Sequence, residues 1–459
     1  MMRLSEVALA TSGQLVGHDV EFCCVGTDSR AIKKGQLFVA LKGENFDGHE
    51  YVAQSLEQGA SAVLVSQASN ASPAVLVKDT RLALGDLAAH WRAKFEMPVV
   101  AITGSNGKTT VKEMLASILK QSAGDDASVL ATQGNFNNDI GLPLTMLNLC
   151  DQHRYAVLEM GMNHAGEISY LTRLSKPNIA LVNNAGSAHI GELGSLEAIA
   201  KAKGEIFEGL ADGGTAIINA DDDFVDLWKK LASKHQQMTF GLNEKADVSA
   251  TYQLGESSSE IELLTPMGKV SLTLPAPGLH NVRNALAAAS AGLALNVSLE
   301  NIASGLSCFA GAKGRLQVKQ GLAGAKVIDD TYNANPSSMK AAVEVLKASQ
   351  GQRIFVMGDM AELGDDAPMM HAEIGAYVKA AGIEKFFAFG KLSQYAADAF
   401  GENATHVESI EALTALLTQS LTDQVTVLVK GSRSMKMERV VDAIQLANTN
   451  NHKENHSCC

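Results

Sequence analysis

The residues best placed to do chemistry form one run, Thr103-Gly104-Ser105-Asn106-Gly107-Lys108-Thr109-Thr110. Its two glycines let the backbone turn its amides inward, and a helix starting there adds partial positive charge. Lys108 can then reach terminal phosphates, and the Thr109 hydroxyl is suited to ligate Mg²⁺. The spacing is the short form G-x-x-G-K-T, because Ile102 stands where the longer motif has its first glycine. Local context favours a phosphate loop over a glycine turn followed by an unrelated surface lysine. Pro98 to Ile102 reads as a buried parallel strand, and Val111, Met114, Leu115, Ile118 and Leu119 fall on one helical face. The expected ligand is ATP or GTP.

Other reactive residues sit where strands end. Tyr155-Ala156-Val157-Leu158 is an expected strand delivering Glu159 at its carboxyl end, the edge where doubly wound sheets bind ligands. Glu159 is a natural Mg²⁺ ligand beside a phosphate loop, with helix capping or a surface role as the bland alternative. The stretch Asn135 to Pro143 is dense in amides, which suits turns and also polar substrate oxygens. His189 follows the expected strand Ile179-Ala180-Leu181-Val182. A helix is expected over 195–210, with Leu196, Ile199, Ile206 and Leu210 on its apolar face. Lys203 shares that face, while Lys201 points roughly 200° away. An inward lysine is costly unless paired or chemically altered; snorkelling to the rim is the simpler alternative. Asp28 with Arg30 is open between a solvated ion pair and a site, and Asp221-Asp222-Asp223 reads as a possible solvated turn.

The elements that must carry these residues alternate strand and helix almost throughout. At 459 residues the chain suggests about three domains. The first has strands at Gly35 to Leu41 and Ala62 to Val65, and Arg81 to Lys94 reads as a connecting helix. The second contains the phosphate loop and an antiparallel insertion over Gln253 to Leu274, before an alanine-rich helix near Asn284. From about Gln317 a third α/β unit begins, with polar glycine loops after its strands and no G-x-G-x-x-G after the first. The expected class is α/β: a small N-terminal α/β domain, a central P-loop domain with a doubly wound, mostly parallel sheet, and a C-terminal Rossmann-like domain.

Composition excludes several classes. Hydrophobic residues at 46% and charged ones at 19% permit large cores, and a net charge of −12 argues against a protein that coats nucleic acid. Six scattered cysteines, with no C-x-x-C pair, fit a reducing cytoplasm and no zinc site. The first residues lack a signal-peptide core, and the uncharged stretch Asn284 to Leu299 is too short to span a bilayer. A soluble, cytoplasmic protein without membrane insertion is expected.

Taken in order, Thr103 to Thr110, Glu159, His189, Lys203, His280-Asn281, Arg315 and Asp330 resemble the Mur ligase family from end to end, apart from the polar tail. The distinguishing stretches are Thr27 to Arg30, Asn137 to Gly141, Gly161 to His164, Asp330 to Pro336 and Met357 to Gly364. The resemblance implies an N-terminal UDP-sugar domain (1–84), a central ATPase (85–315), a C-terminal ligase domain (316–447) and a tail (448–459) expected to be disordered. It implies a monomer working in peptidoglycan precursor synthesis, joining D-alanyl-D-alanine to UDP-N-acetylmuramoyl-tripeptide through an acyl phosphate. Lys108, Glu159, His189 and Lys203 are the implied catalytic residues. Thr109, Glu159, His189 and Lys203, the last carbamylated, are implied to hold two Mg²⁺ ions. Gly104, Ser105, Asn106, Gly107, Lys108, Thr109, Thr110, Asn281, Arg315 and Asp330 are implied to bind ATP, Arg315 on phosphate and Asp330 on ribose. Asp28, Ser29, Arg30, Lys42, Asn137, Asn138, Asn333 and Asn335 are implied for the substrates. Two other readings compete: the ligase adding the third amino acid, whose diaminopimelate form carries an Asp-Asn-Pro-Arg motif absent here, and a nucleotide-binding regulator without catalysis.

Overall fold

The computed structural model describes residues 1–68, 71–186 and 190–446. His189 and the tail therefore lie outside the described residues. Among the described residues, three of five sheets have five or six strands. In the N-terminal one, strands run in the order Gln14–Val16, Ala74–Leu76, Ala62–Val65, Gln36–Val39, Cys24–Gly26, with only the first pair antiparallel. The central sheet is entirely parallel: Gln236–Phe240, Thr215–Asn219, Ile179–Val182, Val99–Thr103, Tyr155–Glu159, Val129–Ala131. The C-terminal sheet runs Gln317–Gln320, Lys326–Asp330, Val425–Lys430, Gln352–Gly358, Lys385–Phe389, Ala404–Val407, and only its first strand is antiparallel. The expected insertion is present as three antiparallel strands between Ser249 and Leu274.

Val99–Thr103 explains the central sheet. All five residues are buried, as a parallel strand covered on both faces requires. Val99 and Ala101 join one core while Val100 and Ile102 join the other, following the two-residue period of a strand. One core is closed by the phosphate-loop helix Lys108–Ala123, through Val111, Met114, Leu115, Ile118 and Leu119, and by the alanine-rich helix Leu279–Ala294. The opposite core takes in Ile168, Leu171, Ile199 and Ile206, together with Leu84, Leu87 and Ala88 of the helix Thr80–Arg92. That helix crosses the expected 84/85 boundary, so the N-terminal and central units share one core. In sheet order, the chain runs from Val99–Thr103 to one side and later crosses, from Tyr155–Glu159 to Ile179–Val182, to the other, so the carboxyl end of Val99–Thr103 lies at the switch point at which such sheets bind ligands.

Two expectations need correction. The helix over 195–210 is α-helical only from Leu196 to Gly204 and tightens to a 3₁₀ turn over Glu205–Gly209. The Thr172 hydroxyl takes the Ile206 carbonyl at 2.8 Å, and Gly209 lies so close to the Thr172 backbone that a Cβ would clash. Leu196, in the first turn, is exposed rather than part of the apolar face. Asp221 and Asp222 are not solvated either. Asp221 accepts the amides of Leu242, Asn243 and Glu244, and Asp222 accepts that of Ala185, so the acidic run ties neighbouring loops together.

The helix Leu299–Ser307 lies against Lys108–Ala123 at Gly305, where a Cβ would approach the Ile118 Cα to 2.4 Å. Backbone cannot yield there as a flexible side chain would. Gly305→Ala is expected to cost about 1–3 kcal/mol and lower the thermal midpoint; an unchanged midpoint would show that the two helices separate freely.

Candidate active site

The glycine loop is held in shape by asparagines. Gly107 has φ of 80°, and a Cβ would lie 2.3 Å from Asn284 Oδ1 and 2.6 Å from Asn183 Nδ2; only glycine fits both the backbone and the space. Asn183 donates to the Asn106 carbonyl and to Asn284, Asn184 grips both the amide and the carbonyl of Asn106, and Asn219 donates to the Asn183 carbonyl. Ser105 exchanges hydrogen bonds with the Gly186 backbone. The helix beginning at Lys108 has no side-chain cap, so its first amides remain available to an anion. Lys108 Nζ donates to the Gly104 carbonyl at 2.7 Å, and burial pushes its ammonium below the ordinary lysine range.

Glu159 stands next to this loop, as the strand pairing dictates. Its Oε2 accepts the Thr109 hydroxyl at 2.9 Å, its Oε1 accepts the Asn137 amide at 2.8 Å, and its backbone amide donates to Thr132 Oγ1. It is 2% exposed, which removes the surface-role reading. A hydroxyl and a carboxylate converging beside phosphate-binding amides are hard oxygen donors of the kind Mg²⁺ takes, so these residues fit that ion.

Lys203 is 1% exposed and does not snorkel to the rim. Burial pushes its ammonium far below the ordinary range, and the charge of Lys108 pushes it further.

Two cavities flank the loop. The smaller, about 370 Å³, lies between the central and C-terminal units and is walled by Asn106, Gly107, Thr110, His280, Asn281, Arg315 and Asp330, with Ala341, Ala342 and Lys430 opposite. Its size suits a ligand site. Asp330 Oδ2 is bound to Lys430 Nζ at 2.6 Å, and Oδ1 accepts the Leu316 amide at 3.2 Å. Burial drives Asp330 up and Lys430 down, against their mutual attraction. Asn281 is tied to the Pro277 carbonyl at the helix start. Arg315 lies over the Tyr332 ring at 4.1 Å, with its Nε buried and unpaired. The larger cavity, about 1170 Å³, runs from Arg81 past the glycine loop, Glu159, Asn137 and Asn138 to Asn333 and Arg433.

The substrate expectations divide. Asn137 is at the centre, through Glu159. Asn138 accepts the amides of Ile140 and Gly141 with its side chain while also lining the larger cavity. Asn333 gives its carbonyl to Lys430. Asn335 caps the helix Pro336–Lys347 and donates to Asn106 Oδ1 at 2.8 Å, while Asn106 Nδ2 donates to Ser337 Oγ at 2.9 Å. The C-terminal unit thereby touches the phosphate loop itself. Asp28, Ser29, Arg30 and Lys42 line neither cavity; Arg30 pairs with Asp28 at 2.8 Å and Lys42 lies 3.5 Å from Asp47.

Sequence reasoning missed Asn183, Asn184, Asn219, Asn284 and Lys430 as parts of the site. The asparagines surround the glycine loop directly or through Asn183, while Lys430 ends a C-terminal strand and holds Asp330; the Asn183-Asn184 pair after Val182 was the legible signal.

Three family models match in order: "Mur ligase family, catalytic domain" over 21–92, "Mur ligase middle domain" over 102–292, and "Mur ligase, glutamate ligase domain" over 314–433. A UDP-N-acetylmuramoyl-tripeptide–D-alanyl-D-alanine ligase of Haemophilus influenzae is 43% identical over 97% of this chain and 99% of its own. The crystal structure of MurF from Acinetobacter baumannii, 39% identical, superposes with a TM-score of 0.89, covering 95% of this chain and 97% of that one. MurF from Thermotoga maritima in complex with ADP, 28% identical, gives 0.82 over 92% and 96%.

His280 lies on the smaller cavity, where burial, with Lys430 and Arg283 nearby, lowers its pKa to about 4. Above pH 6.5 it is neutral whether folded or unfolded. As pH falls from 6.5 towards 4 the unfolded chain takes up a proton that the folded one refuses, so stability declines through that window. At pH 5 this amounts to about 2 kcal/mol. Urea midpoints at pH 7.5 and 5.0 should therefore fall further for the native chain than for His280→Gln; equal falls would show that His280 titrates normally when folded.

Proposed function

The chain belongs to the Mur ligase family, and from that premise we infer that it is the ATP-dependent, ADP-forming ligase that joins D-alanyl-D-alanine to UDP-N-acetylmuramoyl-tripeptide in peptidoglycan synthesis. The observation that carries this reading is one cavity walled by residues before, within and after the central sheet, with the phosphate loop and Glu159 between them. An end-to-end likeness to a ligase of that name supports it. No helix among the described residues is long and apolar enough to cross a membrane.

The chemistry joins two anions, so positive charge in a dry cleft lowers the barrier. The tripeptide's terminal carboxylate oxygen attacks the γ-phosphorus of ATP, and ADP leaves. The dipeptide amine then attacks the acyl carbon, phosphate departs, a proton is released and the amide forms. The loop amides and Lys108 hold the phosphates of ATP. The smaller cavity takes the nucleoside, with Asp330 kept in place by Lys430. Thr109 and Glu159 would hold Mg²⁺, which supplies charge neutralisation on the transferring phosphoryl group. Asn137 fixes the orientation of the Glu159 carboxylate.

Lys203 is proposed to be carbamylated. A neutral amine nitrogen adds to CO₂ and loses a proton, turning a buried cation site into an anion able to help hold a second Mg²⁺. The support is burial beside Lys108. The UDP end is assigned to Asp28, Ser29, Arg30 and Lys42 of the N-terminal unit, all exposed except the half-buried Ser29.

Phosphate release from ATP is expected only when UDP-N-acetylmuramoyl-tripeptide and D-alanyl-D-alanine are both present, with a UDP-pentapeptide product by mass. Release with a single amino acid in place of the dipeptide would point to the neighbouring ligase, and silence with every pair to a regulator. Lys108→Ala should reduce turnover by about 100-fold or more. After incubation with ¹³C-bicarbonate, the native protein should show a carbamate carbon signal that Lys203→Ala lacks. Identical spectra would remove the carbamate.

A further inference from the structure

Resting on the ligase reading, the larger cavity must accept a dipeptide whose far end is a free carboxylate. A carboxylate taken out of water needs a cation partner, and a site that holds it can tell a dipeptide from a shorter amine. The cations lining this cavity can be sorted by what already holds them. On the central side, Arg81 is bound to Asp139 at 2.8 Å, Lys108 belongs to the phosphate loop, and Lys112 is 2% exposed with its ammonium on the Thr132 carbonyl. On the C-terminal side, Arg315 is stacked on Tyr332, and Lys319 is paired at 2.8 Å with the buried Asp329. Lys313 remains, and so does Arg433, which is exposed and engaged by Glu438 through one branch only.

Arg433 follows the strand Val425–Lys430, at the carboxyl end of the C-terminal sheet. Its side chain is 65% exposed. Among the described residues its guanidinium makes one hydrogen bond, from Nη1 to Glu438 Oε1 at 3.1 Å, which fixes one branch of the fork. The phenol of Tyr332, raised chiefly by burial, also feels Arg315, Glu159 and Arg433. Arg433 and Glu159 line the same cavity. Lys313 is an exposed point charge on the segment joining two units, whereas a guanidinium presents paired donors that match a carboxylate.

We propose that Arg433 is the specificity-determining residue for the incoming dipeptide, binding its terminal carboxylate. The test compares D-alanyl-D-alanine with D-alanyl-D-alaninamide, which lacks that charge. With the native protein the amide should show a KM about 10- to 100-fold higher. Arg433→Gln should raise the KM for the dipeptide by a similar factor, leave the KM for ATP unchanged, and no longer distinguish acid from amide. Lys313→Gln should keep the discrimination. Equal use of acid and amide by the native protein would overturn the proposal, as would discrimination that survives in Arg433→Gln or disappears in Lys313→Gln. Should Arg433→Gln fail to fold, Arg433→Lys, which keeps the charge and loses the fork, is expected to weaken the discrimination between acid and amide, and full retention would overturn the proposal. Absence of turnover with the unmodified dipeptide would instead overturn the ligase reading, and this inference with it.

Discussion

The side chain of Lys203 is removed from water and feels the charge of the part-buried Lys108, which in turn has the carboxylate of Glu159 nearby. Charge of one sign held in a low-dielectric cleft is costly at rest and strongly attractive to an anion that enters. The surrounding structure is arranged to sustain that condition. Backbone carbonyls and asparagine amides, rather than counter-charges, hold the glycine loop, so its positive field is not cancelled. Glu159, the acid that does stand close, has both oxygens engaged by Thr109 and Asn137.

The second constraint is that the cleft belongs to no single unit. Asn106, inside the phosphate loop, exchanges side-chain hydrogen bonds with Asn335 and Ser337 at the start of a C-terminal helix. The smaller cavity is closed by that same helix. Anything that alters the phosphate loop therefore acts directly on the position of the C-terminal unit. The shared core across Thr80–Arg92 couples the N-terminal unit to the central sheet more firmly, through apolar packing rather than a few polar contacts.

Much was legible without coordinates, for identifiable reasons. Phosphate chemistry depends on a contiguous run, Gly104 to Thr110, and parallel strands announce themselves as short apolar blocks such as Ile179–Val182. Lys203 was legible as an oddity of helical phase. Its full burial was not, because helical phase places a lysine on the inward face without saying whether its long stem lets the ammonium reach water. Asp221 and Asp222 read as a solvated turn because an acidic run gives no sign of the loop amides that will come to it.

Local order alone determined that this chain is α/β, that it has a phosphate loop at the end of a buried strand, and that Glu159 sits at the end of another. These follow from residues close in sequence, whose spacing fixes strand, turn and helix directly. Only the tertiary structure decided that Asn183, Asn219 and Asn284 shape the loop, that Lys430 holds Asp330 from 100 residues away, and that Asn335 reaches the loop as well as capping a helix. Those pairings join polar side chains and backbone groups from segments far apart in sequence. Nothing in local spacing specifies them, because their partners meet only once the sheets have packed.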